Sequence, residues 1–151
     1  MSVALREAEE GDAKEMAAIL QSWLEDTPWM PVLHTLADTE AFCGHLTKAT
    51  DCWVAEEAGE VTGFLARDKD WVTALYLAPE ARDRGIGRAL LAEASVGRDA
   101  LQLWCFQNNE GARRFYERHG FVVEEVTDGA GNDEKLPDIR FVWRRAQEMS
   151  Q

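Results

Sequence analysis

The sequence is poor in cysteine, and its three residues of that type, Cys43, Cys52 and Cys105, show no C-x-x-C spacing. An odd, widely spaced set excludes a disulfide framework and a zinc knuckle and reads as buried, inert thiols. Cys43 and His45 form a C-x-H pair with no further ligands at fitting positions, so no metal is expected. No apolar run approaches the length of a membrane span, and the acidic opening "MSVALREAEEGD" lacks the basic-then-apolar layout of a leader. Basic residues are scarce as well. A formal net charge of −12 argues against nucleic acid as a partner, since neutralising phosphodiesters needs a basic face. Internal repeats, low-complexity tracts and Pro/Gly/Ser linkers are also missing. The expectation is one domain over 1–151 in the cytoplasm, off the membrane, with a homodimer left open.

What is present is a 151-residue chain of 46% hydrophobic and 29% charged residues, ample for a buried core. Hydrophobic spacing predicts a short strand at 3–8. A helix opened by Gly11-Asp12 follows, with Ala13, Met16, Ala17, Leu20, Trp23 and Leu24 on one face. "TPWMP" (27–31) ends that helix, and a second runs from about Asp38 to Ala49 with Phe42 and Leu46 inward. Cys52–Glu57 and Glu60–Arg67 flank a Gly59 turn as a hairpin, and "WVTALYL" (71–77) reads as a strand buried on both faces. After Gly85 comes a helix with Ile86, Ala89, Leu90 and Ala94 inward, then strand 100–106. The helix in "NEGARRFYERHGF" carries Ala112, Phe115, Tyr116 and His119 on one stripe and stops at Gly120. Two closing strands surround a loop at 128–137. The order β-α-α-β-β-β-α-β-α-β-β implies an α/β fold with a mixed sheet.

Charge is unevenly spread. Residues 1–60 hold 13 acidic and three basic side chains, whereas "RDRGIGRALL" (82–91) gathers Arg82, Arg84 and Arg88 around Gly85 and Gly87. A strand, a glycine turn and a helix N-terminus make an anion site, because the first helical N–H groups lack internal partners and the macrodipole is positive there. The bulky Leu90 stands where a dinucleotide fingerprint needs its third glycine or alanine, and no Lys-Ser/Thr follows Gly87 as a Walker A loop requires.

The surviving pattern is Arg-x-x-Gly-x-Gly, set by Arg82, Gly85 and Gly87 in "LYLAPEARDRGIGRALL". With "NNEGARRFYERHGF" downstream, the chain resembles the GNAT superfamily of N-acetyltransferases over nearly its whole length. The resemblance implies a mostly antiparallel mixed sheet with a splayed parallel strand pair and about four helices. It implies acetyl-CoA as co-substrate, with the backbone of Leu77 and Ala78 holding the pantetheine arm. The amides of Arg82, Asp83, Arg84, Gly85, Ile86, Gly87 and Arg88 would wrap the pyrophosphate. Asn109, with Ala112, would steady the cofactor, and Tyr116 would protonate the leaving thiolate. The implied reaction is direct attack of an amine on the thioester through a tetrahedral intermediate, its oxyanion met by a backbone N–H near Leu77.

Each of these residues also has a structural reading: a core aromatic for Tyr116, a helix N-cap for Asn109, a bare turn for the glycines. Many members of the family place a glutamate on the strand that here reads "WVTALYL", which has no carboxylate. Asp70, His34 and His45 are the nearby titratable residues, ranked below water or backbone carbonyls as the base, while His119 reads as a helix-dipole partner. The acceptor, a small-molecule or peptide amine, would meet the loops "EDTPWMPVLH" and "TDGAGNDEKLPDIR", with Trp29, Met30 and His34 as candidate contacts and the surrounding carboxylates favouring a cation. A catalytically silent acyl-CoA sensor is the alternative.

Overall fold

The computed structural model describes residues 3–31 and 33–145. The chain clusters into two compact units divided between Ala94 and Ser95. The strands and helices follow the expected order.

In the first unit, β1 (Ala4–Glu7), β2 (Asp51–Glu57), β3 (Glu60–Asp68) and β4 (Trp71–Leu77) pair antiparallel in sequence order. The β2–β3 hairpin turns through Ala58 (φ 53°) and Gly59 (φ 81°), both left-handed as a tight two-residue turn demands. Helices α1 (Ala13–Glu25) and α2 (Leu36–Ala49) pack together and on the sheet. Residues Val61 to Arg67 of β3 are all buried, whereas β4 exposes Thr73. The most continuously buried strand is therefore β3 and not β4 as its composition suggests, because α1 and α2 pack on β3 while its Gly63 and Arg67 meet Ile86 and Ala94.

Helix α2 begins at Leu36, two residues before the expected start, since Thr35 and Asp38 form a reciprocal cap (Asp38 N to Thr35 Oγ1 3.1 Å, Thr35 N to Asp38 Oδ2 3.0 Å). Its buried residues are Thr39, Cys43 and Leu46, and Phe42 is exposed instead of inward. Ile19, absent from the expected face of α1, is buried with Met16 and Ala17. Asp12, just before α1, accepts two bonds from Arg6 of β1 (2.8 and 2.9 Å) and one from Glu9 N (2.7 Å). Arg6 also reaches Glu56 of β2 (3.2 Å), so one guanidinium ties three segments.

Helix α3 (Ile86–Ser95) turns Ile86, Gly87, Leu90, Leu91 and Ala94 inward. Leu91 takes the place expected for Ala89, which is exposed. Arg67 of β3 is buried, stacks on Trp53 at 5.2 Å, pairs with Asp51 at 2.8 Å and donates to the Ala94 carbonyl, capping α3.

In the second unit, β5 (Ala100–Phe106), β7 (Asp138–Arg144) and β6 (Val122–Thr127) form an antiparallel sheet in that order. Helix α4 (Glu110–Arg118) is capped by Asn109 and stopped by Gly120 (φ 91°), with Phe121 N donating to the Tyr116 carbonyl at 3.0 Å. Leu101, Leu103, Cys105, Phe121, Ile139 and Phe141 are buried. No helix among the described residues is long and apolar enough to cross a membrane.

Candidate active site

The end of β4 sets the geometry of the first unit's site. Ala78 N donates to Thr62 O at 2.8 Å, and Leu77 lies opposite Gly63. Alternation along the ladder turns the N–H and C=O of Leu77 away from β3, toward the strand's other edge. Gly63 makes room for this pairing, since a Cβ there would stand 2.5 Å from the Leu77 side chain.

The turn follows at once. Pro79–Ala81 form one 3-10 turn, Asp83 (φ 60°) and Gly85 (φ 85°) are left-handed, and α3 starts at Ile86. Alternating backbone hands turn successive N–H groups into one concavity, an anion nest. The amides of Asp83, Arg84 and Gly85 donate to nothing among the described residues. Those of Ile86, Gly87 and Arg88 belong to the first helical turn and lack intrahelical acceptors. Gly87 thus lies in the first turn of α3, buried with Ile86. Nothing stands within 4 Å of a Cβ placed on Gly85, so its glycine answers to φ and not to crowding.

The three arginines differ. The guanidinium groups of Arg82 and Arg88 are exposed and pair with nothing among the described residues. Arg84 pairs with Glu57 at 2.5 Å and holds that carboxyl below the usual range.

In the second unit, the Asn109 side chain accepts from Ala112 N at 3.2 Å, so it is a helix cap. Tyr116 is 9% exposed, with ring centroids 5.3 Å from Phe115, 5.4 Å from Phe121 and 6.1 Å from Phe141. Its ring is a core aromatic; any chemistry it performs resides in its hydroxyl.

Of the candidate acceptor residues, Trp29 is half-buried and meets Trp23 edge-on at 6.1 Å. Trp23 in turn meets Tyr76 at 5.5 Å, which joins this loop to the end of β4. Met30 is 8% exposed and is part of the core, while His34 is exposed beside the α2 cap. Val32 of the same loop lies outside the described residues. Asp70 precedes β4 at the end remote from Leu77, about 20 Å away at ~3.3 Å per residue, too far to take a proton there. His45 is exposed on α2. Burial pushes the thiols of Cys43 to about 11 and of Cys52 and Cys105 to about 12, so none is a nucleophile at neutral pH.

The second unit also holds a cavity of about 430 Å³ between the end of β5, the start of β7 and the β6–β7 loop. Glu134 and Asp138 belong to the acidic loop expected on the acceptor side, whereas Trp104 of β5 was not expected there, because positions so far apart in the chain give no shared signal. The loop is tightly knit. Thr127 Oγ1 and Asn132 Nδ2 (3.2 Å) both donate to Asp138. Asn132 also bonds both the N–H (3.2 Å) and carbonyl (2.8 Å) of Leu136. A Cβ on Gly129 (φ 84°) would overlap the Leu136 backbone.

Comparison with known proteins agrees with this geometry. The model of the Acetyltransferase (GNAT) domain matches residues 48–123, from the end of α2 into β6 and so across the whole glycine-arginine turn. Peptidyl-lysine N-acetyltransferase YiaC of Escherichia coli is 34% identical over 143 residues, covering 89% of this chain and 94% of the relative. The solution structure of apo-form YjaB from Escherichia coli superposes with a TM-score of 0.79 at 22% identity, covering 97% of this chain and all of that one. The structure of yncA from Salmonella typhimurium with acetyl-CoA gives 0.73 at 18% identity over all of this chain and 98% of that one. These neighbours share the fold, and the family model and the YiaC relative carry the assignment: the chain belongs to the GNAT family of acetyltransferases.

Proposed function

We propose that the protein transfers an acetyl group from acetyl-CoA to a primary amine, and that the turn at 82–88 binds the diphosphate of the donor. The carrying observation is the turn itself: six amides without acceptors, two guanidinium groups without partners, and an otherwise acidic chain. Such a site suits a polyanion and little else on this surface.

Acetyl-CoA supplies an activated thioester when bound, and the chain's residues do the rest. Leu77 offers its outward-facing backbone to the pantetheine arm, and its N–H is the donor for charge developing on the thioester oxygen; Ala78, expected to share that role, has its N–H on Thr62 O (2.8 Å) and its carbonyl on Ala81 N (2.9 Å). Removing a donor of that kind typically costs about 2.7–4 kcal/mol. Tyr116 gives its proton to the departing sulfur; a phenol (~10) lies close enough to a thiol (~8.5) for the transfer to follow charge development. Asn109 caps α4 and fixes the helix that carries Tyr116. Trp29 and His34 are proposed to line the acceptor side. β4 carries no carboxylate, so the amine loses its proton to water, with backbone carbonyls accepting hydrogen bonds from the amine. The name of the YiaC relative supports a lysine-type amine as the acceptor. Three free, buried thiols support a cytoplasmic, reducing setting.

The missing β4 carboxylate favours a second reading, a silent acyl-CoA sensor. Thiol release from acetyl-CoA across a panel of lysine peptides and diamines separates the two. Turnover that falls in Tyr116→Phe supports the enzyme, whereas CoA-induced thermal stabilisation without turnover supports the sensor. A protein that CoA does not stabilise sinks both.

A further inference from the structure

The cavity of the second unit has a chemistry of its own. Trp104 is 44% exposed and forms an aromatic wall with Phe106, while Glu134 and Asp138 supply two carboxylates. Asp138 is buried and oriented by Thr127 and Asn132, one donor on each oxygen. Glu134 is half-buried, and its carboxylate has no partner among the described residues. No lysine or arginine lines the cavity. Cations on the adjoining segments hold other partners: Arg113 donates to Gln107 O (3.1 Å), Arg140 to Glu125 (3.1 Å) and Gln102 (3.0 Å), and Lys135 to Ala130 O (3.0 Å). An aromatic face beside unpaired negative charge is a site for an organic cation.

That cation is not the reacting amine. Acyl transfer needs the amine neutral, while an alkylammonium with an ordinary pKa near ~10.4 is held more firmly protonated by adjacent carboxylates. A cavity built this way binds a charge that stays a charge. We infer that it recognises a second ammonium or guanidinium on the acceptor, so that the preferred substrates are amines with another positive charge along the same molecule. The inference rests on the acetyltransferase reading for the identity of the ligand as an acceptor. The cation site itself stands on the cavity alone.

One ligand chemistry has two sources here, a free diamine or a lysine peptide with a basic neighbour, and the test separates them. Calorimetric titration of the full chain compares cadaverine with pentylamine, and a Lys-Arg peptide with a Lys-Gln peptide. The dication of each pair is expected to bind about tenfold more tightly, with the gap shrinking in high salt. Glu134→Gln, a change in the loop, is expected to bring each pair close to parity while leaving the melting temperature and CoA binding unchanged. Trp104→Leu is expected to weaken both dications. The tighter dication of the two names the source. Parity in the unmodified protein overturns the inference, as does a gap that Glu134→Gln leaves intact. Because binding is read without turnover, a cavity that discriminates in a protein that never releases thiol refutes the acetyltransferase reading and leaves the cation site standing. Thiol release with equal kcat/KM for mono- and dications does the reverse.

Discussion

A guanidinium nitrogen of Arg84 lies 2.5 Å from a carboxylate oxygen of Glu57, so the last residue of β2 holds an arginine of the phosphate turn. Glu57 therefore offsets positive charge at the place where a polyanion is proposed to bind. Glu57→Gln should tighten CoA binding a few-fold at low ionic strength, with the gain fading as salt is raised. Calorimetry at two salt concentrations checks this; weaker binding would mean that Glu57 orients Arg84 more than it opposes the phosphates. The sign with pH follows from the lowered carboxyl. The pair's contribution to stability is complete above the ordinary glutamate value of ~4.3 and is lost as pH falls through the lower folded value. The melting difference between wild type and Glu57→Gln should stay constant from neutrality to about pH 5 and close only in stronger acid.

Gly85→Ala should lower stability by about 1–2 kcal/mol, the cost of a left-handed non-glycine residue, since a Cβ there meets no neighbour. CoA affinity should fall as well, because the strained turn relaxes away from the nest. Melting curves with and without CoA test both, and an unchanged melting temperature with unchanged affinity would dissociate φ at residue 85 from binding.

Tyr116→Phe keeps the ring contacts with Phe115, Phe121 and Phe141 and removes only the hydroxyl. The expected result is a fall in kcat of about 10²-fold or more with the KM for acetyl-CoA nearly unchanged. Tyr116→Ala should instead destabilise by about 3–5 kcal/mol by opening the aromatic cluster. Full activity in Tyr116→Phe would return the residue to a purely structural role.

Asp12 is held charged chiefly by its hydrogen bonds from Arg6, which set its carboxyl below the usual range. Its contribution is present above the unfolded aspartate value of ~3.9 and disappears as pH drops through the lower folded value. Asp12→Asn should cost about 1–2 kcal/mol at neutral pH, discounted for the partial exposure of Arg6, and nearly nothing in strong acid. Chemical denaturation at two pH values distinguishes this from a pH-independent packing defect.

The elements visible in the sequence were those specified by local rules. Gly85, Gly120 and the Ala58-Gly59 turn announce left-handed backbone, and the period of α4 already places Tyr116 inward. The start of α2 was misplaced because the Thr35–Asp38 cap overrides the hydrophobic pattern that Phe42 suggested. β4 reads as the most buried strand by composition, yet burial follows the helices packed on each strand and gives that place to β3. The acidic loop at 127–140 was legible as an acceptor-side segment, but its enclosure with Trp104 was not. Trp104, Glu134 and Asp138 meet only because β5 pairs with β7 and the intervening loop folds on itself.

The closure of Gly129 on Leu136 has a practical consequence for protein engineering. Backbone contact at that point leaves no room for any side chain, so the stem of the loop tolerates neither substitution nor a change in its crossing. Libraries intended to redirect acceptor choice should therefore leave residues 127–129 and 136–138 untouched and randomise the rim at 133–135.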